Sequence, residues 1–174
     1  MKSLQRSQVA LLALACLAPL AFAHTDEDCD AFTWDLSREF AAMRAPATDI
    51  ATPSDPSHAA RIVVGTHYSA TLLPQESVAF IHAPGRPARA AQPMAGVFAF
   101  TTAAAGRYRI ALTTSHWVDI LDGATVIEST GHEGRGGCAL LHKVVEFDLP
   151  AHRTLTLQLS GQDAAVVGLI VSAA

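Results

Sequence analysis

Residues 154–160 read Thr-Leu-Thr-Leu-Gln-Leu-Ser, so Leu155, Leu157 and Leu159 are each separated by one polar residue. A period of two buries all three leucines together only in an extended strand, with one face on a core and the other polar. The same period governs Arg107 to Leu112, where Tyr108, Ile110 and Leu112 face one way and Arg107 and Arg109 the other. That is the signature of a half-buried antiparallel strand. Further short strand candidates run Arg61–Val64, His67–Leu73, Ser77–Ile81, Gly96–Thr102, Gly106–Thr114, Trp117–Leu121 and Ala124–Thr130. His142–Leu149, Arg153–Ser160 and Ala165–Ser172 complete the set. Asp122-Gly123, flanked by apolar runs, is a favoured two-residue hairpin turn, so the strands on either side of it should pair. Strands this short and this regularly punctuated predict an all-β fold: a two-sheet antiparallel sandwich, jelly-roll-like, over residues 61–174.

Upstream the period changes. Leu36, Phe40 and Met43 recur at i, i+4 and i+7, which predicts a short N-terminal helix from Thr33 to Arg44, with Thr33 as its cap and Pro46 as its stop. Ala45 to Ala59 holds three prolines among Asp, Ser and Thr and reads as a linker. Residues 24–60 thus form an N-terminal segment of helix and Pro-rich linker. A second Pro-rich loop, Ala83 to Pro93, carries Arg86 and Arg89.

Residues 1–23 have the anatomy of a cleaved secretory signal. Lys2 and Arg6 supply a positive start, Val9 to Leu20 an apolar run, and Ala21-Phe22-Ala23 a small-x-small cleavage site. The residues before Cys16 lack the leucine three positions upstream that lipid attachment uses, so an unlipidated periplasmic or secreted protein is expected. No later stretch approaches the roughly 18 apolar residues of a membrane span. In an oxidising compartment an even pair of cysteines usually bridges, and cleavage leaves only Cys29 and Cys138. The net charge of −4 becomes more acidic once Lys2 and Arg6 are removed, which disfavours nucleic acid as a partner. A monomer that meets a small ligand or an envelope protein is the expectation.

Several residues are candidate sites. Gly131-His132-Glu133-Gly134-Arg135-Gly136-Gly137 packs four glycines into seven residues, permitting close backbone approach, with His132, Glu133 and Arg135 as polar contacts. It is no P-loop, because no Gly-Lys-Ser/Thr follows. Trp117 and Asp119, beside the hairpin, could stack on and hydrogen-bond a ligand, while Asp122 is accounted for by the turn. His116, His132 and His142 offer three imidazoles for zinc or copper, although their spacing matches no standard ligand motif. His24, exposed as the new N-terminus, could chelate copper through its amine and ring together. No Gly-x-Ser-x-Gly or comparable nucleophile motif is present, and no catalytic residue is assigned.

The run Gly96-Val-Phe-Ala-Phe, Ala105-Gly-Arg-Tyr-Arg-Ile-Ala-Leu and Trp117-Val-Asp-Ile-Leu-Asp-Gly carries a further indication, together with the Gly-rich loop, Cys138 and Lys143-Val-Val-Glu-Phe. From Gly96 to Val171 the chain resembles an uncharacterised family of small exported proteobacterial proteins, some of them labelled homogentisate 1,2-dioxygenase. At the fold level it also resembles β-sandwich domains of the pre-peptidase C-terminal type, which implies architecture alone. The dioxygenase label would imply an iron centre on two histidines and a glutamate, and the chain has no cupin-type His-x-His with a following Glu. The residues therefore favour a non-catalytic exported ligand-binding or envelope accessory module. A copper- or zinc-binding periplasmic metalloprotein and an enzyme of unknown reaction remain as alternatives.

Overall fold

The computed structural model describes residues 29–174. The expected signal segment with Cys16 and Ala23, and His24, lie outside the described residues. The alternating leucines form β11 (Thr154–Gln162), the central strand of one sheet. Its neighbours are β5 (Met94–Thr101) on one side and β7 (Trp117–Asp122) followed by β8 (Thr125–Ile127) on the other. The facing sheet has at its centre β3 (Tyr68–Thr71), β12 (Val166–Ala173), β6 (Gly106–Leu112) and β10 (Lys143–Leu149), in that order. All pairs within these two four-stranded sets are antiparallel. Successive strands mostly cross from one sheet to the other, so strands distant in sequence become neighbours, which is the jelly-roll interleaving of two Greek keys.

The edges depart from the antiparallel expectation. β1 (Thr48–Ala51) pairs parallel with β3, and β2 (Ala60–Arg61) pairs parallel with β5. Each of these strands is separated from its partner by an excursion into the opposite sheet, and a returning chain can enter in the same direction. The Ala45–Ala59 segment, which composition marks as a linker, therefore contributes an edge strand to the sandwich. β4 (Leu73–Pro74) lies beside β5, and β9 (Gly131–Gly134) pairs antiparallel with β10, converting half of the expected glycine loop into a strand. Ser77–Ile81 is not a strand. It crosses the outer face of a sheet, where the Gln158 Oε1 accepts from the Ile81 amide at 2.9 Å. The hairpin forms as expected but turns on Gly123-Ala124, with Asp122 facing Thr125 and Gly123 at a φ of 61°. That left-handed backbone is the conformation a tight hairpin requires and glycine allows.

Between the sheets Leu155, Leu157 and Leu159 meet Phe98, Phe100, Ile110, Leu112 and Phe147, all essentially without solvent exposure. A second apolar cluster covers the far side of the β6–β10 sheet. There Ala111, Val144 and Ile170 pack against Leu36 and Met43 of the N-terminal segment, together with Cys29, Cys138 and Leu141. The helix, α1 (Ser37–Arg44), starts four residues later than its apolar spacing predicts. Thr33 does not cap it, because the Thr33 and Trp34 amides and the Thr33 hydroxyl all donate to the Glu133 carboxylate. The Asp35 Oδ1 instead accepts from the Ser37 amide at 3.0 Å. The helix stops at Arg44, and Ala45 is extended, as a nearby Pro46 demands.

This cover changes the environment of charges that strand parity assigns to solvent. Glu146 is buried between Arg107 at 3.2 Å and Arg109 at 3.1 Å, and Arg109 lies 5.2 Å over the Trp34 ring. Glu39 of α1 is also buried and accepts a 2.6 Å hydrogen bond from the Ser172 hydroxyl. Its other oxygen lies 3.9 Å from Arg109 without a hydrogen-bond partner. Helix and sheet are thus joined by a polar lock as well as by apolar packing. Ser172→Ala is expected to lower stability by about 1–2 kcal/mol, because a buried carboxylate loses its hydroxyl donor. Urea unfolding measures this, and an unchanged midpoint would show that the lock contributes nothing.

Candidate functional site

Trp117 opens β7 directly opposite Ser160 on β11, and Lys143 opens β10 in the facing sheet. His132 on β9 pairs across from Val145, whose side chain belongs to the core face. The Pro-rich loop folds back over this corner and is fastened at two points. The Gly85 amide donates to Asp119 Oδ2 at 3.1 Å, and the Arg89 amide donates to the Gly161 carbonyl at 3.0 Å. A Cβ on Gly85 would stand 2.9 Å from both Asp119 Oδ1 and Trp117 Nε1, so the loop reaches this position only with glycine there. Together these elements enclose a cleft of about 510 Å³.

The cleft has an apolar wall of Trp117, Val118 and Val145. Cations gather around the tryptophan: the Arg86 guanidinium lies 4.5 Å and the Lys143 ammonium 5.2 Å over its ring. Arg89 lines the same space, as do His132 and His142. The Trp117 ring is itself fixed, since its Nε1 donates to Asp119 Oδ1 at 2.8 Å. Lys143 donates to the His116 carbonyl at 2.9 Å. Burial, reinforced by the Arg86 and Arg89 charges and only partly opposed by Asp119, lowers its pKa from the usual lysine range to about 8. The ammonium form therefore still predominates at neutral pH. Burial followed by the Lys143 charge lowers the His142 pKa too, which favours a neutral imidazole. Ser160 also lies on the cleft lining, and its buried hydroxyl has no hydrogen-bond partner.

The residues singled out from sequence divide by occupation. Trp117 and His132 line the cleft. Asp119 is buried behind Trp117, with one oxygen on the indole and the other on the Gly85 amide. Glu133 borders the cleft, yet its carboxylate is committed to Thr33, Trp34 and, at 3.4 Å, Arg135. Arg135 donates twice to the Ala31 carbonyl, at 3.0 and 2.6 Å, and lies 5.1 Å over the Phe32 ring. These two charges clasp the N-terminal segment. Gly131 serves the same junction: a Cβ there would press to 3.1 Å from the Trp34 ring.

Cys29 and Cys138 are disulfide-bonded, with Cα atoms 4.7 Å apart. His116, His132 and His142 do not converge. His116 is wholly buried and does not line the cleft, its Nδ1 2.8 Å from the Thr114 hydroxyl and its Nε2 without a partner. Among the described residues no three His, Cys, Asp or Glu side chains gather in a way that could hold a metal ion. Arg86, Arg89, Lys143 and Ser160 escaped sequence reasoning. The two arginines in a Pro-rich loop were visible, but nothing local connects that loop with Trp117. Comparison with known proteins found no protein-family model, no curated protein and no solved structure that matches the chain.

Proposed function

We propose that the chain is a non-catalytic, exported ligand-binding module that takes a small molecule in the Trp117 cleft. One observation carries the reading: a cleft of about 510 Å³ with an aromatic wall and several convergent polar groups. Sites for small molecules have this size and this mixture, the apolar wall supplying affinity and the polar groups orientation. The ring of Trp117, held at its Nε1 by Asp119, is preorganised rather than mobile, which reduces the entropic cost of stacking. Export is supported by the signal-like N-terminus and by a disulfide, which persists best in an oxidising compartment. The absence of a nucleophile motif and the burial of His116 favour binding over catalysis.

A fragment panel read by amide chemical-shift changes tests this directly. Shifts should cluster on Trp117, His132, Lys143 and the Arg86 loop. Trp117→Ala should weaken the best binder at least tenfold, a loss of about 1.4 kcal/mol or more. Trp34→Phe, on the opposite face of the β6–β10 sheet, should leave affinity unchanged. Binders that map elsewhere, or survive Trp117→Ala intact, would exclude the cleft as the site.

A further inference from the structure

We infer that the cleft selects an organic oxyanion, whose carboxylate or phosphate group sits among Lys143, Arg86 and Arg89 while its apolar body lies on Trp117. The inference rests on the ligand-binding reading above and names the chemistry of the ligand. Three observations carry it.

The first is a set of three cations without an ion-pair partner. Among the described residues no carboxylate lies within 4.0 Å of the Arg86, Arg89 or Lys143 head groups. The acids nearby are otherwise occupied or distant. Glu133 is bound by Thr33 and Trp34, both oxygens of Asp119 are taken by the indole and the Gly85 amide, and Glu128 stands exposed at the rim. Three positive groups line one cleft, and the two carboxylates on the same lining, Glu128 and Glu133, form no ion pair with any of them. Cations clustered in this way concentrate anions at the site.

The second is the Ser160 hydroxyl, 1 % exposed and without a partner. A buried polar group left unpaired costs free energy that a ligand acceptor recovers. Ser160 borders the cleft on β11 directly opposite Trp117, and its hydroxyl could donate to an oxyanion on turning toward the cleft.

The third is the wall itself. Inorganic anions need no apolar surface, whereas Trp117, Val118 and Val145 offer one beside the cations. A ligand that satisfies both has an anionic head on an apolar body. The depressed pKa of Lys143 agrees with this, since burial among cations disfavours its charge until an anion arrives.

Titration calorimetry with benzoate, phenyl phosphate and benzamide tests the inference. The three probes share a ring and differ in the head group. At least one anion should bind tenfold or more tightly than benzamide, and raised salt should weaken the anion alone. Which anion wins identifies the carboxylate or the phosphate. Lys143→Met and Arg86→Met should each cost the anion tenfold or more and leave benzamide unchanged. Equal affinity for benzamide and the anions would overturn the oxyanion inference and leave the cleft a ligand site. Anion preference that persists in both variants would overturn the assignment to these residues. No binding of any probe at about 10 mM, the limit of useful affinity, would overturn the inference and the ligand-binding reading together.

Discussion

Replacing Cys29 and Cys138 with serine is expected to lower the unfolding free energy by about 4–5 kcal/mol. The bond joins residues 109 apart in sequence. Closing a loop of that length removes entropy from the unfolded chain worth a little under about 5 kcal/mol, before any native-state adjustment. The native side adds to the loss, because both sulfurs lie in the apolar cluster with Leu36, Met43, Val144 and Ile170. Serine hydroxyls there would need partners that the cluster does not supply. Urea unfolding of the double variant beside the wild type measures the change, and a loss under about 1 kcal/mol would show that the bond does little for the fold.

The location of the damage is a further expectation of the same variant. The segment from Cys29 to Arg44 is held to the sheet by the bond, by Glu133 on Thr33 and Trp34, and by Glu39 on Ser172. Amide exchange should rise first in α1 and in β9, which share those fastenings, while β11 and β12 keep their protection. Because β9 carries His132 into the cleft, the disulfide also supports one wall of the binding site.

What the sequence disclosed and what it hid follow from the range of the forces involved. β11, β6 and β10 were legible because their core faces alternate, and a period of two is a local property. The bridge was legible because the expected removal of Cys16 leaves only one possible pairing. β9 was not, since Gly-His-Glu-Gly has no alternation and becomes a strand only by pairing with Lys143–Glu146. Strand parity correctly put Glu146 and Arg109 on the outer face and then misjudged that face. Sandwich sheets often leave it to water, but here α1 and Trp34 cover it, turning surface charges into a buried network. The cleft was half visible. Trp117 and His132 stood out as residue types, whereas Arg86 and Arg89 reach them through Gly85 in a loop more than 30 positions away in sequence, a contact that only the tertiary fold creates.

Acid is expected to destabilise the protein through His116 in particular, by about 3 kcal/mol between pH 6.5 and pH 4. Burial, the largest cause, with the Lys143 charge in support, lowers its pKa from 6.5 to about 4. The Asp163 charge and the Gln162 and Met94 carbonyls oppose the shift without cancelling it. In the unfolded chain the imidazole takes up its proton near pH 6.5, whereas the native ring stays neutral until about pH 4. Across that interval the unfolded state binds more protons, so stability falls as pH falls, and above pH 6.5 the group contributes no pH dependence. Carboxylates add their own acid sensitivity, so the informative quantity is the difference from His116→Leu. Between pH 7 and about pH 4.5 the variant should lose roughly 2 kcal/mol less than the wild type, as read from urea midpoints at both values. Parallel losses would exclude His116 as the source. The same residue bears on the cleft, because its carbonyl accepts from the Lys143 ammonium. Protonating the buried ring disturbs that support from the acid side, and Lys143 gives up its own charge near pH 8 on the alkaline side. Anion affinity should therefore be greatest between those limits and decline on both flanks, with the alkaline decline absent in Lys143→Met.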